Sequence, residues 1–503
     1  MCGIVGYVGN KNATDFLIEG LSKLEYRGYD SAGIAVINNG EVEIVKHKGR
    51  LANLSRELEN NPAEGTIGIG HTRWATHGEP SDINSHPHQA SKGDITVVHN
   101  GIIENYAELT KFLKDKGYEF KSATDTEVIP NLIHYYYNGD LFEAVAKTIE
   151  RLEGSYALGV ICGNEPDKIV AVRKDSPLIV GLGDNEKFIA SDIPAVLNYT
   201  RDIYLLEDKE IVVITKNSAE VFNLNGEKIS KEIYKVTWNE DAAEKGGYDS
   251  FMLKEIHEQP KAIRDTMTGR VLLNDKVKFE DFNLTLEELN EIDRIYIIAC
   301  GTAYNAGLMG KVAIEKLAKI PVEVEIASEF RYREPLVTNK TLIITLSQSG
   351  ETADTLAVLR DAKKVGAKTL AVTNVVGSSI SREADNVIYT MAGPEIAVAS
   401  TKAYTTQVVV MNLLGMYFAD LKGILDKDVE KELKESLLSL PEKIEAVLEM
   451  KSQVAEVSKI LAEETDLFYL GRGADYALVI EGALKVKEIS YVHSEAYAGG
   501  ELK

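Results

Sequence analysis

Twice in this chain an apolar run leads into a glycine-bearing loop and then into a helical pattern. Residues 295–304 read IYIIACGTAY and residues 467–476 read LFYLGRGADY. A short apolar run that stops at glycine and hands over to a helix is the repeating unit of a parallel, helix-covered sheet. The unit recurs between the two copies. A strand is predicted over 341–346, ahead of Ser347-Gln348-Ser349-Gly350-Glu351-Thr352 and a helix; a strand over 369–373 ends at Asn374, and one over 386–389 leads to Gly393-Pro394-Glu395. From about residue 290 the expected architecture is therefore a doubly wound α/β sheet, with ligands at the carboxyl ends of its strands. A second copy opens near 467, after helical material at about 428–464.

The loop 347–352 carries the strongest local signal. Ser347, Gln348, Ser349 and Thr352, with their backbone N–H groups, stand where a helix begins. Such a set can cradle a phosphate without a lysine. The plainer alternative is a helix cap, with Ser349 or Thr352 bonding only to its own backbone. No GxGxxG or Walker pattern lies here, which disfavours a dinucleotide or ATP. Further on, Lys485 and Glu488 are spaced i, i+3 on a helix expected over 477–492. They form either a solvated surface pair or a base with its helper.

The first 238 residues read differently. Short Val/Ile runs alternate with turns, and helical periodicity appears at 13–26, 106–116 and 126–137, as expected of one α+β domain. Cys2 starts a predicted strand over 2–8. Removal of Met1 would give one residue both a thiol and an α-amino group. That amine, with a pKa of about 7.7–8.0, can take the thiol's proton. Polar clusters interrupt the domain at 25–33, 71–78, 99–101 and 122–127. Amide hydrolysis calls for such groups. Asn100 and the Gly101 N–H can hold an oxyanion. Arg73 can grip an α-carboxylate, and Asp125 can hold an ammonium. Each also has an ordinary explanation: Asn100-Gly101 as a hairpin turn, 124–127 as a helix cap, Arg73 as a surface arginine. Five of the nine histidines fall between 71 and 99, but without HExxH-type spacing, so no metal is expected. Cys162, in the apolar run 156–162, reads as core.

The net charge of −22 argues against nucleic acid and anionic membranes as partners. Three cysteines without CxxC pairing point to a reducing, cytoplasmic setting. Neither a signal peptide nor an apolar run of membrane-spanning length is found. The polar stretch 239–250 reads as a linker.

The strings 2–6, 24–33, 71–78 and 98–105 closely resemble the glutamine-dependent amidotransferases with an N-terminal cysteine, and specifically the glutamine–fructose-6-phosphate aminotransferase family. The resemblance covers essentially the whole chain. It implies an N-terminal-nucleophile sandwich (αββα) over 1–238, a linker over 239–250, a first sugar-isomerase domain over 251–440 and the start of a second over 441–503. It implies that Cys2 attacks the glutamine amide, that Asn100 and Gly101 form the oxyanion hole, and that Arg73, Thr76, His77 and Asp125 hold glutamine. Trp74 would gate the ammonia path. Thr302, Ser347, Gln348, Ser349 and Thr352 match sugar-phosphate motifs, and Val398 and Ala399 belong to a further sugar-binding loop. Ala303 stands where the family often has serine. Glu488 would be the isomerisation base, assisted by Lys485. The product would be glucosamine 6-phosphate, at the first step of amino-sugar biosynthesis, made without a cofactor by a homodimer joined through the isomerase domains. The family's ring-opening histidine and Schiff-base lysine would lie beyond Lys503, so a C-terminally truncated synthase is expected. An alternative is a chain acting only as a glutaminase or a sugar-phosphate binder.

Overall fold

The structure is a computed structural model that describes residues 2–502 apart from 26–27, 75–76, 237–246 and 281. The chain forms two compact units, Met1–Ala243 and Glu244–Lys503. Residues 239–246 of the expected linker lie outside the described residues. Of the rest, Ser250 caps helix Phe251–Met267 by accepting the Leu253 N–H at 3.2 Å.

Strand alternation builds the first unit. In Gly3–Val8, Ile4 and Val8 pack with Val98, Ala157 and Ile161 of a second sheet, while Val5 and Tyr7 pack on Phe16, Leu17 and Leu21 of helix Ala13–Leu24. The period of two thus buries both faces of one strand, each such side chain contributing roughly 1.5–3 kcal/mol. The second sheet repeats the scheme. Its outer face, with Val97, Leu158 and Val160, meets Leu109 and Leu113 of helix Tyr106–Asp115 and Ile129 and Leu132 of helix Val128–Tyr136. The layers are helix, eight-stranded sheet, seven-stranded sheet, helix. Cys162 is fully buried in that outer core. Strand Ile67–Arg73 runs into the polar cluster 71–78, strand Ile95–Ile103 contains 99–101, and Cys2 stands just ahead of Gly3–Val8.

In the second unit five parallel strands lie in the order Val322–Ile326, Arg294–Ala299, Thr341–Ser347, Lys368–Thr373, Asn386–Tyr389. Residues such as Ile297, Ile344 and Leu370 face helices Gly301–Ala318 and Lys402–Leu421; Tyr296, Ile298 and Ile343 face the other layer. The strand order reverses between Arg294–Ala299 and Thr341–Ser347, so the crevice of a doubly wound sheet falls at Thr302 and Ser347. Strand Val322–Ile326 has no counterpart among the strands expected from sequence. It is one of the sheet's two edge strands, and Glu323 and Glu325 break its apolar pattern.

Helices Lys427–Leu438, Leu440–Leu448 and Lys451–Leu461 follow, then strand Asp466–Gly471, helix Ala474–Ser490 and strand His493–Ala498. The two strands pair in parallel. The last helix starts three residues before the expected 477. Among the described residues no helix is long and apolar enough to cross a membrane.

Candidate functional site

The end of strand Ile67–Arg73 is held from behind by main chain. Asp30 N–H donates to Arg73 O at 3.1 Å, and a Cβ on Gly28 would sit 2.6 Å from the Arg73 carbonyl carbon. That close approach explains the glycine at 28. In front lies a cavity of about 290 Å³ lined by Cys2, Arg73, Trp74, Asn100, Gly101 and Asp125, among others.

Trp74 N–H donates to Cys2 Sγ at 3.2 Å, and the thiol lies 3.5 Å from Trp74 O. Burial pushes the Cys2 thiol above its ordinary pKa, and the Trp74 N–H pulls the other way. The indole is 44% exposed and meets Tyr29 edge-on at 5.2 Å. Asn100 Nδ2 donates to Cys2 O at 3.0 Å. Its second N–H is left over for another acceptor.

Asn100 and Gly101 are not a hairpin turn. They lie inside strand Ile95–Ile103, paired with Ala157 and Tyr156. Gly101 has φ of +125°, and a side chain there would collide with Ser155 O, so only glycine fits. Segment 124–127 is not a side-chain helix cap either, since helix Val128–Tyr136 begins without one. Asp125 instead accepts the Ile103 N–H at 2.8 Å, and its other oxygen lies 4.0 Å from His77 Nδ1. Arg73 is not a surface residue, being 4% exposed. Its Nη2 donates to His77 O and, at 3.3 Å, to Gly78 O, while Nη1 is buried with no hydrogen-bond partner among the described residues. A thiol, an amide donor, an unsaturated guanidinium and a carboxylate thus border one cavity. Thr76 lies outside the described residues. Among the described residues no group of three or more His, Cys, Asp or Glu is placed to hold a metal.

Sequence reasoning missed His86, His99 and Thr126 as cavity residues, and His71 behind them. His99 Nδ1 lies 2.8 Å from Thr126 Oγ1. Burial pushes the pKa values of His71, His86, His88 and His99 down. The only sequence signal was their density between 71 and 99.

In the second unit Ser347 Oγ accepts the Gly350 N–H at 3.0 Å and lies 3.0 Å from Thr352 Oγ1; Ser349 Oγ accepts the Glu351 N–H at 3.2 Å. Helix Ala353–Lys364 has no side-chain cap at Thr352. The hydroxyls therefore shape the loop. Gln348 O accepts the Asn374 N–H at 3.1 Å, tying the loop to the next strand. Val398 is exposed and Ala399 buried. Their loop is pinned by Glu255, which accepts the Ala397 N–H at 3.1 Å, and by Glu395, which accepts the Thr401 N–H at 2.8 Å.

Lys485 and Glu488 do pair, at 2.6 Å, but not as a free surface pair: Lys485 also donates to Thr302 Oγ1 at 3.0 Å. Thr302 in turn donates to Glu481 Oε1 at 3.0 Å, and Asn305 Nδ2 to Glu481 Oε2 at 2.7 Å. Glu481, with its pKa raised by burial, was not singled out from sequence. Its place one turn before Lys485 was the available signal.

The fold and the two clusters define a glutamine amidotransferase domain joined to a sugar-isomerase domain: residues 71–198 match the glutamine amidotransferase domain family and residues 288–417 the SIS domain family. A glutamine–fructose-6-phosphate aminotransferase (isomerizing) from Clostridium perfringens is 65% identical over all of this chain and 82% of its own length. One from Clostridium acetobutylicum is 62% identical over all of this chain and 83% of its own. The C-terminal domain of the glucosamine-fructose-6-phosphate aminotransferase from Francisella tularensis is 42% identical, with 52% of this chain and 72% of that one covered at a TM-score of 0.49. The chain belongs to the glutamine–fructose-6-phosphate aminotransferase (isomerizing) family.

Proposed function

We infer that the chain transfers the amide nitrogen of glutamine to fructose 6-phosphate, giving glutamate and glucosamine 6-phosphate. Membership in the family supports the overall reaction. The observation that carries the residue roles is the convergence of Cys2, Asn100, Arg73 and Asp125 on one cavity.

In this reading Met1 is removed, and the α-amine of Cys2 takes the thiol proton. The sulfur attacks the side-chain amide carbon. The free Nδ2–H of Asn100 and the Gly101 N–H hold the oxyanion, which is the term that lowers the barrier most. The C–N bond breaks as the α-ammonium returns its proton to the leaving ammonia, and water hydrolyses the thioester to glutamate. Arg73 Nη1, buried and unsaturated, takes the α-carboxylate, and Asp125 takes the α-ammonium. Thr76 and His77 complete the glutamine site, and Trp74, exposed beside the thiol, gates the ammonia path.

At the switch point of the parallel sheet, Ser347, Gln348, Ser349 and Thr352 take the sugar phosphate, with Val398 and Ala399 against the sugar. Glu488 moves the proton between C1 and C2. Lys485, bridging Thr302 and Glu488, holds that base in place. The domain division is read as a glutaminase over 1–238 and isomerase domains over 251–440 and 441–503. Three unbridged cysteines support a cytoplasmic setting. Val454, Val457 and Ile460, exposed on helix Lys451–Leu461, offer a surface for a homodimer, which sedimentation would test. A paired assay of glutamate and glucosamine 6-phosphate tests the function. Loss of both products in Cys2→Ala supports it, and normal glutamate release by that variant refutes it.

A further inference from the structure

His71 does not line the glutamine cavity, yet it touches a group that does. Its Nε2 lies 3.0 Å from Asn100 Oδ1 and 3.0 Å from His99 O. Both oxygens can only accept, so Nε2 carries the proton and shares it between them. Nδ1 is buried with no hydrogen-bond partner among the described residues, as suits an unprotonated nitrogen. Burial brings the pKa of this imidazole down to about 3, so the ring is neutral at working pH. The ring is fixed in turn by stacking on His86, with centroids 4.1 Å apart and planes 13° apart. His86 Nδ1 accepts the His99 N–H at 3.3 Å, so both sides of the stack are tied to strand Ile95–Ile103.

The consequence falls on the Asn100 carboxamide. In its present orientation Oδ1 accepts from His71 and Nδ2 donates to Cys2 O. Rotated by half a turn, Nδ2 would face a donor and Oδ1 an acceptor, and both contacts would repel. An oxyanion donor must already point at the developing charge, because reorientation during the reaction forfeits its effect. We propose that His71 is a positioning residue for amide cleavage, fixing the Asn100 carboxamide so that an Nδ2–H faces the carbonyl attacked by Cys2. The proposal rests on the glutaminase reading above.

The test measures kcat and KM for glutamine hydrolysis on the full chain, in wild type, His71→Leu, His71→Asn, His71→Gln, Asn100→Ala and the double variant His71→Leu/Asn100→Ala. A glutamine side chain can bring an N–H to the place of Nε2, whereas asparagine reaches only as far as Nδ1. The expected result is a ten- to hundredfold fall in kcat for His71→Leu and His71→Asn, with KM within twofold. His71→Gln should recover at least tenfold over His71→Asn, which separates orientation from folding because both are polar and smaller than the imidazole. In the Asn100→Ala background the leucine should cost less than a further twofold, since nothing remains to be oriented. Wild-type kcat in both His71→Asn and His71→Leu, no advantage of glutamine over asparagine, or a full tenfold loss added to Asn100→Ala would overturn the proposal. A wild-type chain that cannot hydrolyse glutamine would instead count against the glutaminase reading itself.

Discussion

In the first unit the polar groups that face the cavity stand on or beside paired strands and are clamped by main chain, whereas in the second the corresponding polar groups stand on a loop and on helices and clamp one another. Asn100 and Gly101 are locked in a paired strand, Asp125 is tied to Ile103 N–H, and Arg73 is almost wholly buried. Ser347, Ser349 and Thr352 bond within their own loop, and Lys485 bridges two helices through Thr302. The chemistry explains the contrast. Acyl transfer needs donors fixed at the atom where charge develops. A sugar phosphate needs several adaptable hydroxyls and backbone N–H groups around a charge that is already present.

The largest effect is expected at Cys2. Cys2→Ala should lower glutamine hydrolysis at least about a thousandfold, since Cys2 is the one thiol among the described residues that line the cavity; an ammonia-release assay checks this. Arg73→Ala comes next. Losing a charge-assisted contact to the α-carboxylate should raise KM for glutamine about a hundredfold with a smaller change in kcat, as a steady-state titration would show. Ser347→Ala with Ser349→Ala should weaken sugar-phosphate binding about tenfold and leave glutamine hydrolysis near wild type, and calorimetry beside the glutaminase assay reads both.

The smallest effect is on stability. The folded-state pKa of His71, about 3, lies below the ordinary 6.5. Below pH 6.5 the unfolded chain therefore binds a proton that the native chain refuses. This contribution is whole above pH 6.5 and declines as pH falls toward 3, by about 1.4 kcal/mol per unit for this ring. Urea midpoints between pH 7 and pH 5 should fall, and less steeply in His71→Gln.

How much was legible follows the same division. The parallel sheet could be read because its central strands are buried on both faces and end at glycine or polar loops; of its five strands, the edge strand with Glu323 and Glu325 escaped. Cys2, Arg73 and Asp125 could be singled out because acyl chemistry restricts residue type, and all three line one cavity. Asn100-Gly101 also read as a turn, and only pairing with Gly154–Cys162, far along the chain, makes it a strand. The histidine stack was not legible. It depends on residues 83–87, whose Ile83, Ser85 and Pro87 carbonyls accept from the Lys46 ammonium at 3.3, 2.9 and 3.3 Å. No local pattern announces that contact. Glu481 was hidden because its partners Thr302 and Asn305 lie on another helix.

Under the proposed function one chain carries two separable sites, an acyl-transfer cavity and a phosphate-binding loop. Fructose 6-phosphate titrated by calorimetry into Cys2→Ala and into Ser347→Ala/Ser349→Ala, with glutamate release measured on the same preparations, tests it most directly. The account predicts wild-type sugar affinity without glutamate release in the first variant, and glutamate release with about tenfold weaker sugar binding in the second. Sugar affinity lost in Cys2→Ala, or unchanged in the serine variant, would contradict it.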